Sequence, residues 1–127
     1  MVRILLSSIL IAYLLAAGVH AADQTHLSRL EKFGHCKGCD LSGANLQNVD
    51  LSSARLINAN LSGANLAGAI LSDANVDDAN FSEANLTHVN LTNSKARNTD
   101  MRHADLSGAN LSNAKLQKSD LREAKLV

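Results

Sequence analysis

The chain has 127 residues and carries 12 Lys and Arg against 12 Asp and Glu, so its formal charge is zero. One domain is the expectation from that length, and the balance counts against a general nucleic-acid binder, which needs a basic excess to displace counterions, and equally against an acidic mimic of DNA. Pro and Trp are absent and Tyr13, Phe33 and Phe81 are the only aromatic residues, so Leu and Ala must fill a narrow, regular interior.

Residues 1–21 read as a secretory signal peptide. Arg3 gives a short basic start, Ile4 to Ala17 is an apolar run broken only by Ser7, Ser8 and Tyr13, and Val19-His20-Ala21 offers the small residues of a cleavage site. Cleavage after Ala21 is expected. The run is short for a membrane span of about 20 residues, so no membrane attachment is expected after cleavage. The mature protein would then lie in an exported compartment: the periplasm, a thylakoid lumen or the exterior.

Residues 22–36 are expected to form an N-terminal cap. Leu27, Leu30 and Phe33 recur every three residues, with Thr25 as a candidate N-cap and Gly34 as a candidate C-cap. The spacing predicts a short helix over residues 24–35, lying on whatever follows.

Cys36 and Cys39 come next. An even number of cysteines in an exported chain suggests a disulfide, and a three-residue spacing around a corner suits the Cα separation of about 4.4–6.8 Å that one needs. Free thiols and a zinc site using Cys36, Cys39, His35 and His26 remain alternatives, although the spacing is not that of a zinc finger. A c-type haem site would need His after Cys39, and Asp40 stands there. A thioredoxin-like pair would need a helix after Cys36, and the following pattern is not helical.

From residue 37 to 127 the sequence repeats every five residues. The series Leu41, Leu46, Leu51 and onward to Leu126 is apolar at all 18 positions. The residues two before each, from Cys39 and Ala44 to Ala124, are small or β-branched, and the position between is mostly Asn or Asp. A period of five fits neither a 3.6-residue helix nor a 2.0-residue strand. It fits a coil that turns a corner every five residues, with the large and the small residue both pointing inward. Four sides close a 20-residue coil, and successive coils stack at about 4.8 Å. Leu41, Leu61, Phe81, Met101 and Leu121 should form one inner column, and Leu56, Val76, Ala96 and Leu116 another. At Ser94-Lys95-Ala96 the large inner residue is only Ala, which predicts a locally underpacked side.

Near-consensus forms of Ala-Asn-Leu-Ser-Gly begin at Ala44, Ala64 (as Ala-Asn-Leu-Ala-Gly) and Ala109. The chain resembles the pentapeptide-repeat family over residues 37–127 without a register break. That resemblance implies an all-β fold, a right-handed quadrilateral β-helix of about 4.5 coils, with the short helix as its N-terminal cap. The run from Cys36 to Leu46 also resembles the start of the repeats in bacterial members. Some members mimic DNA in shape and negative charge and act on DNA gyrase; the signal peptide and the neutral charge here count against carrying that activity over.

No catalytic constellation is recognisable, and no cofactor or metal is implied. His88 and His103 should face solvent, and Asp77 and Asp78 sit on a convex rod rather than in a cleft. Stacking groups Arg55, Lys95, Arg97, Lys115 and Lys118 on one side, with Asp77 and Asp78 between them. That side is either a solvated face with cross-coil ion pairs such as Asp77 to Arg97 or a docking stripe for an acidic protein partner or anionic surface. Ser52, Ser72, Thr92 and Ser112 form a hydroxyl ladder of the kind that would suit ice or a polysaccharide lattice. Leu121, Leu126 and Val127 are expected to leave an open coil edge for a homodimer. The expectation is a non-catalytic interaction or structural module.

Overall fold

The computed structural model describes residues 23–127; the expected signal peptide lies outside the described residues. Helix α1 spans Gln24–Phe33. Its N-cap is Asp23 rather than Thr25: the Asp23 carboxylate accepts from the Thr25 backbone N–H at 2.8 Å, because a carboxylate just outside the first turn satisfies the free amides there. Gly34 closes the helix as expected. At φ 66 it takes the left-handed conformation and its N–H donates to the Leu30 carbonyl. Leu27 and Leu30 are buried in the core, but Phe33, expected beside them, is 60% exposed. The helix stops there, and Phe33 turns outward against the His35 ring, 5.8 Å between centroids.

The solenoid starts at His35, two residues earlier than the sequence boundary, with His35 bridged to Arg55. Every later bridge is parallel and joins residues 20 apart, from Asp40–Asn60 to Asp105–Lys125. Four pentapeptides therefore make one coil. Each contributes a single ladder residue and then a β-turn, as in the 3.1 Å bond from the Ala44 N–H to the Leu41 carbonyl. Leu41 N–H donates to the Asn60 carbonyl, Asn60 N–H to the Cys39 carbonyl and Gly43 N–H to the Ser62 carbonyl, so neighbouring coils satisfy each other's backbone groups. The second turn residue has positive φ throughout, whether Gly63 (64°), Asn58 (59°) or Lys118 (62°). Type II turns demand this, and it explains the Gly, Asn and Asp there.

Both inward series are buried from Cys36 to Leu106, including the Leu41, Leu61, Phe81 and Met101 column. Exposure rises along the last described coil: Leu111, Leu116 and Leu121 are half-buried and Leu126 is exposed. At the expected weak side Ala96 is buried, and the small inner positions flanking it, Ser94 and Thr99, carry buried hydroxyls. Thr99 Oγ1 donates to the Ala96 carbonyl at 3.1 Å and lies 2.8 Å from Ser119 Oγ. Ser94 Oγ is buried with no hydrogen-bond partner among the described residues.

Candidate interaction face

The outward position before each large inner residue has a local structural task. In the Asp40, Asn60, Asn80, Asp100, Asp120 column the side-chain oxygen accepts the backbone N–H two residues on, as Asn60 does from Ser62 at 3.1 Å and Asp120 from Arg122 at 3.1 Å. This is the Asx-turn that makes Asn and Asp the favoured residues. The column on the preceding side reads His35, Arg55, Asn75, Lys95, Lys115. Only Asn75 keeps the Asx-turn, accepting from Asp77 at 3.1 Å. Arg55, Lys95 and Lys115 have no side-chain acceptor to offer. At Lys95 the loss is made good from the coil below: Asp77 Oδ1 accepts the Arg97 backbone N–H at 2.9 Å while its carboxylate also takes the Arg97 guanidinium at 2.6 Å. The Arg97 hydrogen bond holds the Asp77 carboxyl below its usual pKa.

The five cations singled out by stacking therefore do share a side, in three adjacent columns: Arg55, Lys95 and Lys115 in one, Arg97 above Asp77 in the next, and Lys118 in the turn column two coils from Asp78, with Asn98 between. Lys37 begins the Arg97 column. That side carries six cations (Lys37, Arg55, Lys95, Arg97, Lys115, Lys118) against two carboxylates, net +4. The side preceding it in each coil carries Asp50 and Asp73 and no cation. Pairing separates the two groups further. Arg102, Arg122 and Lys125, on other sides, all have carboxylate partners, and Arg97 has Asp77. Among the described residues Lys37, Arg55, Lys95, Lys115 and Lys118 have none within ion-pair distance. The expected Asp77–Arg97 pair is thus present, but it accounts for one cation of the side.

A hollow of about 390 Å³ opens where this side meets α1, lined by Arg29, Phe33, His35 and Lys37. Sequence reasoning missed it because two lining residues come from the helix and two from the first coil. The available signal was Phe33, an aromatic residue in a chain that has only three.

The other candidates fall elsewhere. Cys36 and Cys39 are buried as a close pair, with Cα atoms 5.3 Å apart. Among the described residues no three His, Cys, Asp or Glu converge as metal ligands, and no helix is long and apolar enough to cross a membrane. His88 and His103 are exposed, the latter 3.2 Å from Glu123. Ser52 and Ser72 Oγ atoms lie 3.3 Å apart, and two of the four ladder hydroxyls are engaged in their own turns, Ser52 Oγ donating to Asp50 and Thr92 Oγ1 to Asn90. Leu121 is half-buried, and Leu126 and Val127 are exposed on the last coil.

A parallel ladder in a 20-residue register, with paired large and small inner residues and a turn in every pentapeptide, defines a repeat β-helix. The chain belongs to the pentapeptide-repeat family: eight copies of "Pentapeptide repeats" match within residues 35–73, 59–95, 71–102 and 93–126. It is similar to the crystal structure of a pentapeptide-repeat protein from the Arabidopsis thaliana thylakoid lumen, with 31% identity over 72% of this chain and 64% of that one and a TM-score of 0.69. HetL, a pentapeptide-repeat protein involved in heterocyst differentiation regulation in the cyanobacterium Nostoc, is 35% identical over 63% of this chain and 37% of its own, with a TM-score of 0.60. QnrB1, a plasmid-mediated fluoroquinolone resistance protein, is 26% identical over 59% of this chain and 42% of its own, with a TM-score of 0.50. The chain thus spans less than two thirds of each of these relatives. No curated protein matches it.

Proposed function

We propose that the chain is a non-catalytic interaction module whose basic side docks an acidic protein partner. The observation that carries this reading is the cost of that side. Arg55 and Lys115 give up Asx-turn hydrogen bonds worth about 0.5–1.5 kcal/mol each, Lys95 has its turn amide satisfied only by Asp77 of the coil below, and Lys95 and Lys115 sit bridged as like charges on adjacent coils. The other three columns keep Asn or Asp there at every place but Ile70 and Lys125. Positions that break a local folding rule without compensation are where function is expected.

In this reading the module is right-handed, with α1 covering the apolar end of the first coil through Leu27 and Leu30. Cys36 and Cys39 form a disulfide that fixes the start of the solenoid. Export is supported by the signal-like pattern of residues 1–21 and agrees with the lumenal source of one similar protein. Thiol titration of the denatured, unreduced protein tests the disulfide: no free thiol is expected, and two would remove it.

The test of function is cross-linked capture from the native exported compartment. It uses the parent, a variant with Arg55, Lys95, Lys115 and Lys118 changed to Glu, and a control with Asp50 and Asp73 changed to Lys. A partner held by the parent and the control but lost by the first variant is the expected outcome. A partner held equally by all three refutes the basic side as the docking surface. The likeness to QnrB1 keeps one rival reading, a regulator directed at a topoisomerase; inhibition or protection of gyrase in a supercoiling assay would favour it.

A further inference from the structure

The hollow beside α1 continues the basic side rather than standing apart from it. His35 lies at the foot of the Arg55, Lys95, Lys115 column through its bridge to Arg55, and Lys37 at the foot of the Arg97 column. The hollow adds what the column lacks, an apolar surface: Phe33 is the large aromatic side chain exposed here, set at 45° to the His35 ring. The His35 ring is oriented by its Nδ1, 2.7 Å from the Phe33 carbonyl, so Nδ1 carries the proton and Nε2 is left for another partner. Arg29 and Lys37 have no carboxylate partner among the described residues.

We infer that this hollow is the specificity pocket of the docking surface, taking an acidic peptide segment of the partner with an aromatic or large aliphatic side chain set among its carboxylates. The occupant follows from charge complementarity and from chemistry. Arg29 and Lys37 line the hollow together with Phe33 and supply charge-assisted donors beside an aromatic side chain, an arrangement that rewards a carboxylate next to an apolar anchor more than either group alone. A hydrated stretch of carboxylates can pair with the column, but only a segment with an anchor fills the hollow. The inference rests on the reading of the basic side as a docking surface.

The test uses fluorescence anisotropy with three labelled, blocked peptides: Glu-Glu-Phe-Glu-Glu, Glu-Glu-Ala-Glu-Glu and a long polyglutamate. The expected result is that the Phe peptide binds the parent about tenfold tighter than the Ala peptide, as loss of a buried aromatic anchor at a hot spot predicts. That preference should vanish in Phe33→Ala and the binding itself in Lys37→Glu, both at exposed positions that leave the thermal melt unchanged. Lys95→Glu with Lys115→Glu should weaken polyglutamate while sparing the Phe peptide. Equal binding of the Phe and Ala peptides, or a preference that survives Phe33→Ala, overturns the hollow while leaving the basic side intact. Polyglutamate that does not bind the parent, or binds the Lys95→Glu, Lys115→Glu variant as well as the parent, while the Phe preference is retained, sinks the wider docking surface alone. Failure of all three peptides to bind refutes both.

Discussion

If Arg55 and Lys115 sacrifice stability for docking, restoring the residue the turn prefers should make the protein more stable and less able to bind. The perturbation is Arg55→Asn together with Lys115→Asn. Each new Asn stands where Asn75 stands, and its Oδ1 should accept the N–H of Ile57 or Gln117 as Asn75 accepts that of Asp77. A solvent-facing hydrogen bond of this kind contributes about 0.5 kcal/mol, the low end of its range. Removing Lys115 from beside Lys95 relieves a like-charge pair at strand spacing, about 0.2–0.5 kcal/mol more. The double variant should gain about 1–1.5 kcal/mol, which for a domain of this size raises Tm by roughly 5–10 °C. Lys95→Asn is the internal control: Asp77 already accepts the Arg97 N–H, so no turn bond is gained and only relief beside Lys115 remains. Thermal and urea denaturation read both effects. A double variant that melts at or below the parent, or a Lys95→Asn gain equal to that of Lys115→Asn, refutes the account of what the basic column costs.

The acid limb of the stability curve should follow the aspartates. Asp77 and Asp100 are held below the ordinary value of 3.8 chiefly by hydrogen bonds from Arg97 and Arg102, Asp105 by Ser107, and Asp120, through Arg122, is brought down to about 2. A depressed carboxyl gives stability that is fully present above its unfolded pKa and is lost as pH falls through the folded one. The urea midpoint should therefore be steady down to about pH 5 and fall between about pH 4 and 2, less steeply in Asp77→Asn. Turn strain should respond to residue type: Gly63→Ala, at φ 64 with nothing near the added methyl, should cost about 0.5–1 kcal/mol, and Lys118→Gly should gain about 0.5 kcal/mol by urea titration. Ser94→Ala removes a buried hydroxyl that has no partner and should raise stability by about 1 kcal/mol; a loss would mean that Ser94 Oγ is satisfied in solution. Ala64→Leu overpacks a filled layer and should cost about 1–3 kcal/mol, so an unchanged melt would contradict the inward placement of Ala64.

The inner positions were legible because the period of five is kept strictly, and a strict period fixes both the side each residue faces and its neighbour one coil away. The Asp77–Arg97 pair and the Arg55, Lys95, Lys115 column follow from that arithmetic alone. What escaped lies where the period does not reach. Asp23 stands beside the expected cleavage site, where a signal pattern and a helix start compete for the same residues, and Thr25 two residues on is also among the favoured capping residue types. Phe33 matched a three-residue spacing with Leu27 and Leu30, but the helix ends at Phe33, and the left-handed Gly34 sends the chain into the first coil before that side chain can turn under. The hollow joins positions 29 and 33 of a helix to 35 and 37 of a coil, and no single periodicity relates the two.

A solenoid also changes what net charge means. In a globular chain, residues 20 apart have no fixed relation, and a formal charge of zero describes the surface tolerably well. Here they form columns, so composition can cancel over the whole chain while one side holds net +4 and the side before it holds only Asp50 and Asp73. Neighbouring column positions are about 4.8 Å apart, inside the roughly 8 Å Debye length at physiological ionic strength, so Lys95 and Lys115 act on an approaching anion together. Neutrality of the chain, which counts against nucleic acid as a general partner, therefore says nothing against an acidic protein on one side. The core sets the inner positions and leaves most outer ones free, so an outer Ser or Lys carries little information. The Asx position is the exception, outward-facing but structural. Asn or Asp fills it at all five places in the Asp40 column and at one of five in the His35 column. That contrast, rather than the number of basic residues, separates the basic side from the Asp40 side.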